Sequence, residues 1–218
     1  FPRTSQQALD NYTINRSTDE QTFIKQSRYF DVWSFDFRLF RPIFTFAREK
    51  RIPVLGLNIE REIVSSAYKG GGIDTLDEEQ KKEIPDSRDL SLEGYADRLR
   101  EFHAMHSTMD NAKGDLSAFI EAQAIWDEYM ARSISNYLES NPQMKMIVIA
   151  GSQHTRKDYG IPPRVSRLKA ISQASVLNLA TNRITGNELE KTADYLFFLD
   201  VEDFEPQGKI GVVLEPSR

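Results

Sequence analysis

The sequence predicts an α/β fold: a largely parallel β-sheet flanked by helices, with a smaller helical subdomain. Three observations carry that prediction. Met144 to Ala150 is an unbroken apolar run of the kind buried on both faces of a parallel sheet. Short apolar segments at 52–58, 175–180 and 194–199 alternate with helical patterns, as in βα units. The stretch 59–140 reads as helix and loop without a strand, too long for one crossover, so it carries the subdomain.

Taken in order, residues 4–30 read as two short helices, with Ser17, Thr18, Asp19 and Glu20 supplying a cap and N-terminal acids for the second. An aromatic-rich patch follows from Tyr29 to Phe46. Phe37, Phe40, Phe44 and Ala47 fall at helical spacing, predicting one helix over 36–51 with Pro42 in its first turns or kinking it. Ile52 to Asn58 reads as a buried strand, and Glu60 to Tyr68 as a helix stopped by Gly70, Gly71 and Gly72. A short helix is expected within 74–89. An amphipathic helix over 91–106 has Leu92, Tyr95, Leu99 and Phe102 as its inner stripe. Asp115 caps a long helix reaching about Ser140, with Leu116, Phe119, Trp126, Met130 and Tyr137 inward. After the strand at 144–150 comes a Pro/Gly loop from Gly160 to Pro163, then strands at 175–180, 194–199 and 209–214. One α/β domain over 1–205 is expected, with its helical annex at about 75–110.

Composition narrows the function. The chain has 218 residues, 39% hydrophobic, which excludes disorder as its main state. Twenty-eight basic against 33 acidic residues leave a net charge of −5, scattered along the chain, with no footprint for nucleic acid or anionic lipid. There is no cysteine, so disulfides, thiolate metal sites and cysteine nucleophiles are excluded. Phosphate-loop, dinucleotide, nucleophile-elbow and HExxH patterns do not occur. The opening Phe1-Pro-Arg-Thr-Ser5 has neither initiator Met nor signal peptide and reads as the start of a processed or trimmed product.

Polar residues collect where two predicted strands end, the place at which open parallel sheets bind ligands. The first strand runs into Asn58, Arg61 and Glu62, which also read as ordinary surface charges. The second runs into Gly151-Ser-Gln-His154 and then Arg156, Lys157, Asp158 and Tyr159. A glycine there permits a sharp turn, and His154 projects from the rim, where an imidazole can hydrogen-bond, relay a proton or ligate a metal. On the long helix, Gln123 and Asp127 lie on or near the core-facing side, so they need partners, either bracing the rim loops or entering the site. His103 and His106, three apart, read as core or surface histidines rather than a metal pair.

Several blocks together resemble the ChaN-like haem-binding proteins of the Tiki superfamily. They are Ser5 to Asp10, Ile52 to Glu62, Phe119 to Ala131, Ile147 to His154 and Asp158 to Pro162, in the family's order. The resemblance implies a large parallel sheet with a smaller helical domain and a bacterial lipoprotein of a haem/iron acquisition system, periplasmic or anchored at the outer membrane. It also implies a homodimer in which two haems stack face to face, a tyrosine of one subunit ligating each iron and a histidine and lysine of the other holding the propionates. Gly151 and His154 match the second of the superfamily's two Gly-x-x-His motifs. By proximity to His154, Tyr159 takes the place of the iron ligand, with His154, Lys157 and Arg156 for the propionates and Arg61, Glu62, Gln123, Asp127 and Gly151 in support. The first Gly-x-x-His motif is absent, and 206–218 resemble the opening of a PDZ-like domain or a C-terminal strand. Membrane association is then expected only through a lipid anchor outside this chain. Two other readings stand beside this one. The first is a Tiki-like hydrolase using a divalent metal at His154 with Glu62 or Asp127. The second is a non-catalytic scaffold whose patch of Tyr29, Phe30, Trp33, Phe35 and Phe37 binds another subunit.

Overall fold

The computed structural model describes residues 1–33, 35–107, 115–180 and 189–199; the expected strand at 209–214 and the segment 206–218 lie outside them. The chain opens with helices α1 (Gln6–Thr13), α2 (Glu20–Gln26), α3 (Tyr29–Val32) and α4 (Arg41–Lys50). Asp19 caps α2 by accepting the Thr22 N–H at 2.7 Å. The single helix expected over 36–51 is divided. A 3₁₀ turn at Phe37–Leu39 precedes α4, and Pro42 sits in the first turn of α4, where a missing N–H costs nothing. Leu9, Tyr12, Phe23, Tyr29, Phe37 and Phe44 close together as the core of this half. Each such side chain contributes about 1.5–3 kcal/mol when fully buried. The aromatic patch is thereby split: Tyr29 and Phe37 are core, whereas Phe30 and Phe35 are exposed.

Residues 52–58 run extended beside the N-terminus. The Asn58 N–H donates to Phe1 O at 2.9 Å and Arg3 N–H to Asn58 O at 2.8 Å, an isolated parallel bridge between Pro2 and Asn58. Gln6 stands in for a further neighbour, its amide donating to Val54 O at 3.0 Å and accepting from Gly56 N–H at 3.0 Å. Then follow α5 (Arg61–Gly70), ended by Gly71 at φ 97°, α6 (Glu78–Glu83) with Asp77 in a capping box, and α7 (Tyr95–Ser107).

Helix α8 (Leu116–Ser140) is the axis of the second half. It meets α5 through Val64, Ala67, Ala122 and Ile125, and α7 through Tyr95, Leu99 and Ala124. Through Met130, Ala131 and Ile134 it meets α9 (Ile161–Leu168). Three neighbours bury a wide arc rich in alanine, so the inner face differs from the expected stripe: Leu116, Phe119 and Tyr137 are only half-buried, and Phe102 of α7 is exposed. The expected Pro/Gly loop at 160–163 is the first turn of α9, where Pro162 and Pro163 fit.

Residues 144–150 are extended and turn Met146, Val148 and Ala150 onto the α8–α9 core, while Ile147 is 92% exposed. Neither 52–58 nor 144–150 forms a ladder among the described residues. An apolar run determines which face is buried; a ladder also needs an adjacent extended backbone, and among the described residues only Pro2 supplies one, to Asn58. The described sheet pairs β1 (Val176–Ala180) with β2 (Tyr195–Leu199), parallel, Val176 opposite Tyr195, joined through α10 (Leu189–Thr192). Both strands fall within a residue of their predicted starts. Helices flanking a parallel pair make this an α/β fold. Among the described residues no helix is long and apolar enough to cross a membrane.

Candidate functional site

The carboxyl ends of 52–58 and 144–150 open on one cavity of about 350 Å³. Its wall includes Asn58, Ile59, Arg61, Glu62, Trp126 and His154, with Arg28, Asp31 and Val32 from the α3 turn. The two predicted rims therefore coincide, and α8 passes beneath them.

A tight loop holds His154. Its N–H donates to Gly151 O at 2.9 Å, the Gly160 N–H donates to Arg156 O at 3.0 Å, and the Ile161 N–H returns to His154 O at 2.7 Å. At Gly160 a Cβ would overlap the His154 carbonyl and come within 2.7 Å of Arg156 O, so only glycine lets the backbone close. At Gly151 a Cβ would meet only His154 Cδ2, at 3.6 Å, an ordinary contact.

Asp127 rises from α8 to meet the ring. His154 Nδ1–H donates to Asp127 Oδ1 at 2.6 Å, and the Tyr95 hydroxyl donates to Oδ2 at 3.1 Å. The carboxylate is buried with both oxygens satisfied, as a buried charge requires. Burial alone would lower the imidazole pKa; the facing Asp127 charge and its hydrogen bond outweigh that, so His154 stays protonated to higher pH than a free imidazole. Burial and the same carboxylate push the Tyr95 hydroxyl up, which keeps it a donor. His154 itself lines the cavity. Trp126 meets the imidazole edge-on, ring centres 6.3 Å apart and planes at 86°, and its buried Nε1–H is unpartnered.

An ion cluster behind the loop fixes it to α8. The fully buried Arg164 of α9 lies over the Tyr95 ring at 4.6 Å and beside Glu128, Nε to Oε1 3.2 Å. It donates to the carbonyls of Tyr159 and Gly160 and, at 3.1 Å, to that of Asp89. Arg167 pairs with the other Glu128 oxygen at 2.5 Å, and the Asp89 N–H donates to Glu128 Oε1 at 2.9 Å.

The structure brings some predicted site residues together and leaves others apart. His154, Asp127, Arg61 and Glu62 meet at the cavity or immediately behind it, Glu62 lying 3.5 Å from Arg28. Tyr159 does not reach it: its ring is buried, its hydroxyl donates to Gln153 at 2.8 Å, and burial pushes its pKa up to about 12. Arg156 pairs with Asp158 at 2.5 Å and lies over the Tyr159 ring, and Lys157 pairs with Asp194 at 2.6 Å. Gln123 is half-buried on α8 and does not line the cavity. For the divalent-metal reading, no three His, Asp or Glu side chains gather around an ion site among the described residues. His103 lies 3.4 Å from the Tyr68 hydroxyl, and the His106 side chain falls outside the described residues. Sequence reasoning missed Tyr95 as a polar partner and Arg164 and Glu128 altogether. The one available signal was Glu128 beside Asp127 on a core helix, a second acid in need of a cation.

Comparison with known proteins comes to the same region of fold space. Residues 1–165 match a family described as haem-binding uptake, Tiki superfamily, ChaN. Among solved structures, one described as cofacial heme binding to ChaN of Campylobacter jejuni superposes with a TM-score of 0.58 at 18% identity, over 90% of this chain and 69% of that one. No curated protein matches.

Proposed function

We propose that this chain, which belongs to the ChaN family of haem-binding uptake proteins in the Tiki superfamily, binds haem in the cavity before His154. One observation carries the reading: His154, with Nδ1 held by Asp127, and Trp126, whose buried indole N–H has no partner, line the same cavity. The surroundings suit a flat macrocycle bearing carboxylates. Val32, Ile59 and Trp126 offer apolar wall, Arg28 and the exposed Arg61 offer cations for propionates, and His154 offers a donor for iron. Bound haem would supply the iron; the protein supplies orientation, charge and shelter. At about 350 Å³ the cavity lies at the low end of ligand sites, so in this reading one haem face stays uncovered. A second copy covering that face makes a homodimer with facing haems, and the reading includes a place in a bacterial haem-acquisition system at the periplasmic or outer-membrane side. Haemin titration followed by absorbance, with sedimentation before and after, tests it. A saturable spectral change with a shift toward dimer is expected. A folded protein whose addition leaves the haemin spectrum unchanged would overturn the reading.

A further inference from the structure

The outer edge of α4 is an amphipathic face that no other element among the described residues covers, and we infer that it docks on an anionic lipid surface. Ile43, Phe46 and Lys50, at i, i+3 and i+7, share that edge, with Leu39 one turn earlier and Ile52 just beyond the helix end. The four apolar side chains are 41% to 69% exposed, although Phe44 and Ala47 beside them already face the core of this half. Neighbouring exposed apolar side chains mark a contact surface. Cations gather where the stripe ends. Arg16 reaches the last turn of α4 and donates to the carbonyls of Arg48 at 2.8 Å and Glu49 at 2.5 Å. Arg48 in turn donates to those of Tyr12, Thr18 and Arg16. Lys50 and Arg51 stand exposed beside them. None of the four pairs with a carboxylate among the described residues. The neighbouring acids are Glu49 on the same turn and Asp19, near enough to feel Arg48, while Glu20 is taken by Arg41. Arg16 and Arg51 both take the left-handed conformation, φ 55° and 52°, in which glycine is unstrained; Arg51 does so at the helix C-terminus, where glycine is the usual residue. Arg16 gains its two carbonyls in return. Arg51 makes no side-chain hydrogen bond or ion pair among the described residues, so its charge is left for something outside the chain. The even scatter of charge along the sequence conceals this cluster, because only the packing of α1 against α4 brings residue 16 to residues 48–51. An apolar stripe ending in cations suits a helix lying on a bilayer, its ring and aliphatic tips at the acyl boundary and its cations among lipid phosphates. A second copy fits less well, since an isologous contact sets a cationic face against itself. None of these residues lines the cavity before His154, so the two surfaces are separate.

Co-sedimentation of the whole chain with sucrose-loaded vesicles tests it, with phosphatidylglycerol and phosphatidylcholine in equal parts set against phosphatidylcholine alone. Each variant is checked for folding by circular dichroism. Wild type is expected to pellet with the anionic vesicles, to be released as salt rises, and to stay in solution with the neutral ones. Ile43→Ser combined with Phe46→Ser should weaken anionic binding about tenfold. Lys50→Gln combined with Arg51→Gly should weaken it by a similar or greater factor. Arg51→Gly alone should weaken it about fivefold and leave the thermal midpoint at or above that of wild type, because glycine takes the left-handed turn without strain. Lys145→Gln, the loss of an exposed cation elsewhere, should leave binding unchanged. Folded wild type that stays in solution with anionic vesicles overturns the proposal. So does vesicle binding that the stripe and cation variants retain, or that Lys145→Gln weakens as much as Arg51→Gly. Dimerisation that Phe46→Ser abolishes, without vesicle binding, would assign the face to a second copy instead; capture on polyglutamate without vesicle binding would assign it to an acidic protein. The haem reading stands or falls separately from each of these results.

Discussion

Two glycines bracket the turn that carries His154, and they predict opposite outcomes. Gly160→Ala drives a methyl into the His154 carbonyl, a backbone atom that cannot swing aside, so it should cost about 1–3 kcal/mol and weaken haemin binding. Gly151→Ala meets only a ring carbon at 3.6 Å and should stay within about 0.5 kcal/mol of wild type. Chemical denaturation of both variants checks the pair; equal losses would contradict the loop geometry. Tyr95→Phe removes a hydrogen bond to a buried carboxylate and should cost about 1.5–3 kcal/mol in the haem-free protein, read in the same way. At this scale the sequence was partly legible. Asp127 and His154 could be singled out because a polar residue on an apolar face and a histidine at a strand end both demand explanation. Tyr95 could not, because its ring fits a core stripe and only the fold reveals where its hydroxyl points.

The joint between α8 and α9 depends on Glu128 between Arg164 and Arg167. Glu128→Ala leaves the guanidinium of Arg164, with none of its side chain exposed, without its counter-charge, so a loss of about 3–5 kcal/mol is expected. Replacing Glu128 and Arg164 together by apolar residues should recover much of it, which a double-mutant cycle in urea measures. Elements with their own local signals were legible: the Asp115 cap sets the start of α8, and alternation with helices marks β1 and β2. The extended segments 52–58 and 144–150 show the boundary of that method. Val148 and Ala150 announce a buried face, but nothing in their own residues says which backbone lies alongside. The start of α9 was obscured for a different reason. Pro162 and Pro163 break helices in the interior and begin them at the first turn, and the two cases look alike without the structure.

Across the whole molecule, the site loop is fastened at distant points by acids. Ser91, through its hydroxyl and N–H, and then the arginines of α9 hold Asp89 below the usual carboxylate range; Lys157 and then the Ser175 N–H do the same for Asp194. Folded values below unfolded ones mean that this stability is complete above the unfolded carboxylate range, around 4, and lost as pH falls through the folded values. The thermal midpoint of the haem-free protein should therefore drop below about pH 4. Asp89→Asn and Asp194→Asn should flatten that drop, and equally steep acid profiles would count against these tethers. The same fastenings bear on folding rates. Asp127 and His154 are 27 residues apart, Lys157 and Asp194 are 37, and Arg164 and the Asp89 carbonyl are 75. Each closes a long loop, an entropy cost met before any contact repays it, so the site assembles after α8 has already gathered its neighbours. Weakening Arg164, Glu128 or Asp127 should then hasten unfolding far more than it slows folding, so that the unfolding limb of a chevron plot moves while the folding limb stays in place.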